Sequence, residues 1–257
     1  MTEPGCGSDL AAMQTTATRE GDYYVVNGQK TFITNGIQGD LLVVACKTDP
    51  SVQPAYKGIS ILLIEKDTVG FTRGRKLNKV GLHCQDTAEL FFADAKVPVG
   101  NLLGVEGKGY YYLMEKLQQE RLVVSICAQV AAEEMWNMTA NYVKGRRAFG
   151  QTLNDFQYIR FTLTEMATEI ELGRTFLDDL IHRHLENEEL VTRVSMAKWW
   201  ITDMARRVAA NCMQLHGGYG YMEEYPIARR FRDTPVMSIY AGSNEMMKII
   251  IAKKMGL

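Results

Sequence analysis

The chain has 257 residues and a mass of 29.0 kDa, 46% hydrophobic and 23% charged, which is enough to bury a core without disulfides or a structural metal. A net charge of -1 and a pI near 6.4 supply no general positive field for nucleic acid or an anionic membrane surface. Its five cysteines, Cys6, Cys46, Cys84, Cys127 and Cys212, are odd in number and form no CxxC pair, so they read as buried free thiols, and a zinc finger or redox dithiol is excluded.

No run approaches the roughly 20 apolar residues that span a bilayer. In chain order, the first 100 residues are β-rich. Tyr23–Val26 precedes Asn27-Gly28, and Lys30–Thr34 precedes Asn35-Gly36; Asn-Gly between such runs is a hairpin signal. Further strands are expected at Asp40–Lys47, Gly58–Glu65 and Ala88–Phe92, and this spacing predicts a barrel or sandwich. From Gly109 the pattern turns helical. Leu113, Leu117, Val124, Ala128, Ala131, Met135 and Met138 form one apolar stripe, as one face of a helix requires. Gly145 to Gly150 interrupts it. Helices follow from Asp155 towards Leu185, from Val191 to His216 and from Ser243 to Lys254, with the charged connector Glu186-Asn187-Glu188-Glu189 between the first two. The expected architecture is α+β: a central β-barrel or sandwich domain over 1–100, followed by a four-helix bundle over 101–257.

Most common catalytic signatures are missing. The cluster Gly104, Gly107, Gly109 has the wrong order for a dinucleotide fingerprint and lacks a βαβ setting. His216-Gly217-Gly218 has no G-x-S-x-G partner, so a serine hydrolase is a poor reading. His83, His182, His184 and His216 lack metal-ligand spacing, and no metal is expected. Glu120 falls three residues after Leu117 and four before Val124. It reads either as a stripe-facing general base whose pKa desolvation would raise, or as a helix-start carboxylate held by the dipole or a neighbouring arginine. Three segments offer backbone and charge to a flat, phosphorylated ligand: the loop Thr2–Asp9, the run Arg146-Arg147-Ala148-Phe149-Gly150, and the helix opening Tyr240-Ala241-Gly242-Ser243-Asn244-Glu245.

Taken together and in order, TEPGCGSD (2–9), NGQKTFITNG (27–36), RRAFGQTLNDFQ (146–157), QLHGGYGY (214–221) and IYAGSNE (239–245) resemble the acyl-CoA dehydrogenase family along the whole chain. The resemblance implies an N-terminal helical domain, a central β domain and a C-terminal four-helix bundle. The opening residues read as the middle of a domain, so the first of these is expected to be missing.

The resemblance also implies FAD. Thr2 and Ser8 would lie near the flavin, with Phe32 on the ring, Ile33 beside it and Thr34 at its N5 edge. Arg146, Phe149, Gln157, Gln214, Gly217 and Gly218 would hold the pyrophosphate and adenine, partly across a homodimer or homotetramer, and Ser243 and Glu245 would close the flavin site. Substrate contacts would come from Ser8, Tyr111, Gln118, Arg121 and Gly242. Most family members carry the catalytic glutamate where this chain has Ala241. The long-chain and isovaleryl branches carry it on a bundle helix just before an arginine, which here is Glu120 before Arg121. The segments at 74–92 and 111–122 look most like the long-chain branch. Glu120 would then take the α-proton of an acyl-CoA, and the Ala241 N–H would bind the developing enolate. Electrons would pass to an electron-transfer flavoprotein, in a bacterial cytoplasm or a mitochondrial matrix. An oxidase or monooxygenase on the same scaffold and a non-catalytic subunit are the alternatives.

Overall fold

The computed structural model describes residues Met1–Leu257, and the chain divides into two compact units, Met1–Lys116 and Leu117–Leu257. In the first unit, β-branched runs build six strands: β1 (Thr16–Glu20), β2 (Tyr23–Thr34), β3 (Leu41–Lys47), β4 (Ile59–Glu65), β5 (Phe71–Lys76) and β6 (Thr87–Pro98). They form one mixed sheet in the order β4-β3-β1-β2-β6-β5, with β1 and β3 parallel and every other pair antiparallel. The fold class is α+β, but the expected barrel or sandwich is this single sheet. Along β3, Leu42, Val44 and Cys46 are buried while Leu41 and Val43 are exposed, the period of two that one packed face demands. Tyr24, Val26, Leu62, Ile64, Leu90 and Val97 complete that core.

The expected hairpin at Asn27-Gly28 does not form. Strand β2 runs through it, with a register shift against β6 between Val26 and Gly28. The reason is local crowding. Gly28 has φ +143°, and a Cβ there would stand 2.7 Å from the Thr15 Cα, so only glycine lets the segment before β1 lie so close. The real hairpin joins β1 to β2 at Gly21, with φ +59°. Strands β1 and β5 carry no strong apolar run and are not visible in the pattern of the sequence.

The N-terminal loop is fixed to the sheet by a buried ion pair. Lys30 Nζ on β2 donates to Glu3 Oε1 at 2.7 Å, with both side chains almost completely buried. Glu3 also accepts from the N–H groups of Gln14 and Thr15, so its remaining lone pairs are satisfied, as a buried carboxylate requires.

The second unit is helical: α1 (Gly109–Gly145), α2 (Gln157–Leu185), α3 (Val191–Leu215), α4 (Pro226–Asp233) and α5 (Asn244–Met255). The change of pattern expected at residue 100 and the division at 116/117 differ because the first turns of α1 belong to the sheet unit, where Tyr110 and Leu113 pack on Cys6, Met13, Ala45 and Ile59. Helix α2 starts two residues later than expected, since Thr152 and Asp155 cap a 3-10 turn first. Helix α4 was not expected; eight residues are too few for helical periodicity to show. Core residues come mainly from α1, α2 and α3, with Leu177, Leu180, Ile201, Met204 and Val208 among them. Cys6, Cys46 and Cys212 are buried, whereas Cys84 and Cys127 are exposed, which corrects the uniform reading of the thiols. No helix is long and apolar enough to cross a membrane.

The Glu3 carboxyl lies below its ordinary 4.5: burial pushes it up, but the Lys30 ammonium and the Thr15 and Gln14 donors outweigh burial. A depressed folded value means that this stabilisation is fully present above pH 4.5 and is lost as pH falls through the lower folded pKa. Lys30→Met strands the carboxylate in the core and should destabilise the protein by about 3–5 kcal/mol in urea unfolding at pH 7. Glu3→Gln should flatten the acid limb of stability, and an unchanged acid limb in that variant would show that the pair is not its source.

Candidate active site

Helix α1 buries a face made of Leu117, Arg121, Ser125, Ala128, Ala132, Met135, Thr139 and Val143, spaced by threes and fours as one helix face must be. Glu120 stands one residue out of phase with it and is exposed. The stripe-facing, desolvated glutamate expected from the sequence is therefore corrected. The stripe was aligned on Val124, which is only half-buried, and the polar residues Arg121 and Ser125 occupy the buried line instead. Arg121 is 8% exposed, and burial lowers its pKa from the ordinary value while neighbouring Glu120 opposes that shift.

Arg121 points at the turn preceding α5. Its Nε lies 3.4 Å from the Ala241 carbonyl oxygen, and the next carbonyl, that of Gly242, accepts from Lys198 Nζ on α3 at 2.7 Å. Lys198 also donates to Asn244 Oδ1 at 3.1 Å, while the Asn244 amide nitrogen donates to Thr202 Oγ1, Asp203 Oδ1 and the Trp199 carbonyl. Burial and the adjacent Arg121 charge push the Lys198 ammonium down to about 8, against the pull of Glu245 and Asp203. Ala241 has φ +54° and Gly242 φ +87°. The left-handed conformation costs a residue with a Cβ about 1–2 kcal/mol, a cost that charge-assisted bonds to the two carbonyls offset. Ser243 caps α5 through Met246 N–H. Glu245 is exposed, its carboxyl held below the ordinary range by its own N–H and the Ser243 hydroxyl.

The remaining expected site residues are placed unit by unit. In the sheet unit, the Thr2 carbonyl accepts from Thr31 N–H, Ser8 is exposed, and Thr34 is exposed at the end of β2, next to half-buried Ile33. Phe32 sits in a second irregularity of β2 against β6, between Lys30 and Ile33, with φ +58° and 67% of its surface exposed. A large aromatic that is both strained and exposed marks a ligand surface more than a core. Tyr111 is exposed beside Tyr56 and Tyr110, with Lys108 over its ring.

In the helical unit, a small hairpin (Arg147–Ala148 with Gln151–Thr152) presents Phe149 at its tip, at φ +51° and 94% exposed. Arg146 lays its guanidinium over the Tyr219 ring at 5.5 Å. Gln157 opens α2, and Gln214, Gly217 and Gly218 are exposed at the end of α3, with open space where either glycine would carry a Cβ. Gln118 is occupied otherwise than the resemblance implies: its carbonyl accepts from Leu190 N–H and its amide donates to the Glu188 carbonyl, clasping the α2–α3 connector. Lys198 was missed, although it stands four residues from both Val194 and Thr202 on a buried face, a charge on an apolar stripe; Asn244 was read only as part of the 240–245 helix opening.

The profile of the acyl-CoA dehydrogenase C-terminal domain matches residues 107–256, and that of the middle domain matches residues 1–95. The mitochondrial long-chain specific acyl-CoA dehydrogenase of Sus scrofa is 46% identical over 254 residues, which cover 99% of this chain and 59% of that protein. The chain thus spans about three-fifths of such relatives. The crystal structure of an acyl-CoA dehydrogenase from Geobacillus kaustophilus superimposes with a TM-score of 0.99 at 70% identity, covering 100% of this chain and 68% of that one. The butyryl-CoA dehydrogenase of Megasphaera elsdenii gives 0.95 at 38% identity, over 100% of this chain and 67% of that one.

The strained turn makes its own prediction. At Gly242 a Cβ would come 2.8 Å from the Met247 methyl, at a φ that disfavours it, so Gly242→Ala should lower stability by about 1–2 kcal/mol in thermal unfolding. Ala241→Gly relieves the left-handed strain and should leave the melting temperature unchanged or slightly raised. The opposite order would mean that the turn is not held in this conformation in solution.

Proposed function

Because the chain belongs to the acyl-CoA dehydrogenase family, we propose that it carries the FAD-dependent α,β-dehydrogenation of an acyl-CoA thioester to the trans-2-enoyl-CoA, with electrons passing to an electron-transfer flavoprotein. One observation carries the reading. Arg121, adjacent to Glu120, bonds the carbonyl of Ala241, so the helix with the exposed carboxylate is tied to the turn where most members of the family place their own. Loss of a glutamate at 241 and gain of one at 120 then have a single explanation, and 46% identity to a long-chain specific relative supports the same branch.

The exposed groups suit a flavin dinucleotide. Phe32 offers its face to an aromatic ring and Thr34 a hydroxyl to the ring edge. Arg146 suits a pyrophosphate, Phe149 an adenine, and Gly217 and Gly218 bring bare backbone with nothing within 4 Å of a built Cβ. Bound FAD supplies the hydride acceptor. The protein's own residues do the rest. Glu120 takes the α-proton; its exposure leaves it open to an incoming acyl chain. The Ala241 N–H, which donates no backbone bond within the protein, donates to the thioester carbonyl oxygen as negative charge develops there. Related proteins come from bacteria and from mitochondria, and a bacterial cytoplasm and a homodimer or homotetramer are part of the proposal.

Purified protein given FAD should be yellow, and a straight-chain acyl-CoA should bleach it anaerobically. Glu120→Gln should slow the bleaching by about 10²–10⁴-fold without loss of colour. Bleaching that survives this substitution would remove Glu120 as the base. Oxygen consumption coupled to turnover would favour an oxidase, and a colourless protein that takes up no FAD would leave only a non-catalytic role.

A further inference from the structure

Lys198 is the only charged residue among the buried positions of α3, and it is completely buried. A lone ammonium in a helix core is costly unless it is bonded, and no ion pair satisfies it. Its partners are the Gly242 carbonyl at 2.7 Å and Asn244 Oδ1 at 3.1 Å. Arg121 takes the neighbouring Ala241 carbonyl. Across a trans peptide the C=O and N–H point in opposite directions. Drawing the carbonyls of 241 and 242 onto two buried cations therefore turns the N–H groups of Gly242 and Ser243 the other way, and those N–H groups donate no backbone bond within the protein.

We propose that Lys198 is a positioning residue for the 240–243 turn: its ammonium on the Gly242 carbonyl, with Arg121 on the Ala241 carbonyl, holds both residues left-handed and turns the N–H groups of Gly242 and Ser243 outward, while the fixed φ and ψ of Ala241 set the direction of its own N–H relative to them. The proposal rests on the reaction proposed above for its purpose, since the Ala241 N–H is the donor for the thioester oxygen. It does not rest on that reaction for its test. The charged groups around Lys198 are Arg121 from α1, Glu245 from the first turn of α5 and Asp203 on α3, while Lys248 lies over the Trp199 ring. The Glu245 carboxyl is held below its ordinary value, the Tyr240 hydroxyl is pushed up by burial and by the neighbouring Cys127, and the Lys198 ammonium is pushed down to about 8. Loss of its charge weakens both of its bonds, so the turn should feel it.

The readout is the amide ¹⁵N–¹H resonances of Ala241, Gly242 and Ser243 in the 257-residue chain, without FAD or substrate. In wild type they should shift together with a midpoint of about 8. Lys198→Arg, which keeps a cation that does not titrate in this range, should keep the turn and abolish the transition. Lys198→Met should move or broaden all three resonances at pH 7. Resonances in Lys198→Met that coincide with wild type, or a transition near pH 8 that persists in Lys198→Arg, overturn the proposal. If Lys198→Met does not fold, Lys198→Arg decides it alone. With FAD bound, bleaching by acyl-CoA at saturation should slow about 10²-fold in Lys198→Met. If wild type does not bleach, the proposed reaction fails while the amide titration still decides the role of Lys198.

Discussion

The helical unit is organised around two buried positive charges, Arg121 and Lys198, that have backbone carbonyls for counter-groups and no carboxylate. That choice constrains everything near them. Inside a helix each carbonyl is already taken by the N–H four residues on, so free carbonyls require an irregular segment. The segment must lie between helices, end in a capped helix start, and turn two successive carbonyls inward. Ala241 and Gly242 meet this demand only with positive φ, and Ser243 then caps α5. The cluster of Asn244 with Thr202, Asp203 and the Trp199 carbonyl closes the remaining valences. Removing any one partner would leave a buried donor or acceptor unmet, which is more costly than the bond itself is favourable.

The sheet unit solves a related problem with a carboxylate. Glu3 and Lys30 neutralise one another in the core, and the pair ties the glycine-rich N-terminal loop to β2. Two residues beyond Lys30, the strand breaks register and Phe32 turns outward with φ +58°. Three of the seven non-glycine residues with positive φ, namely Phe32, Phe149 and Ala241, are residues that sequence motifs had assigned to the flavin or the substrate. Strain of this kind persists only where surrounding bonds over-determine the backbone. The buried pair at Glu3 and the two cations at 241–242 are such bonds.

Much of this was legible in the chain. Strands β3 and β4 and helices α1, α2, α3 and α5 announce themselves because long apolar periodicities survive local noise. Motif order carried the family. What the sequence hid has physical causes. Asn27-Gly28 has the composition of a hairpin, but glycine served a close approach to Thr15 rather than a turn. The phase of α1 was misread by one residue at 120 and 124 because its buried line contains an arginine, a serine and a threonine, which pattern reading treats as surface. Lys198 was passed over for the same reason. No periodicity reports a side chain held by carbonyls of a turn more than 40 residues away. Gln118 shows the converse limit: a motif can assign a residue to a substrate while the fold uses both ends of its amide to secure a connector.

The one-residue phase of α1 also changes how a base at Glu120 would have to work. A glutamate buried in the bundle would have its proton affinity raised permanently by desolvation, as in the pocketed carboxylates that serve as general acids. Glu120 is exposed and has no such enclosure within the chain. On the proposed reaction, an acyl chain covering Glu120 would exclude water from it only while substrate is present. Arg121, next in sequence but turned into the core, is kept from ion-pairing with it by its own bond to the Ala241 carbonyl. On the proposed reaction, the arginine thus fixes the donor turn and, by being occupied there, leaves the base free.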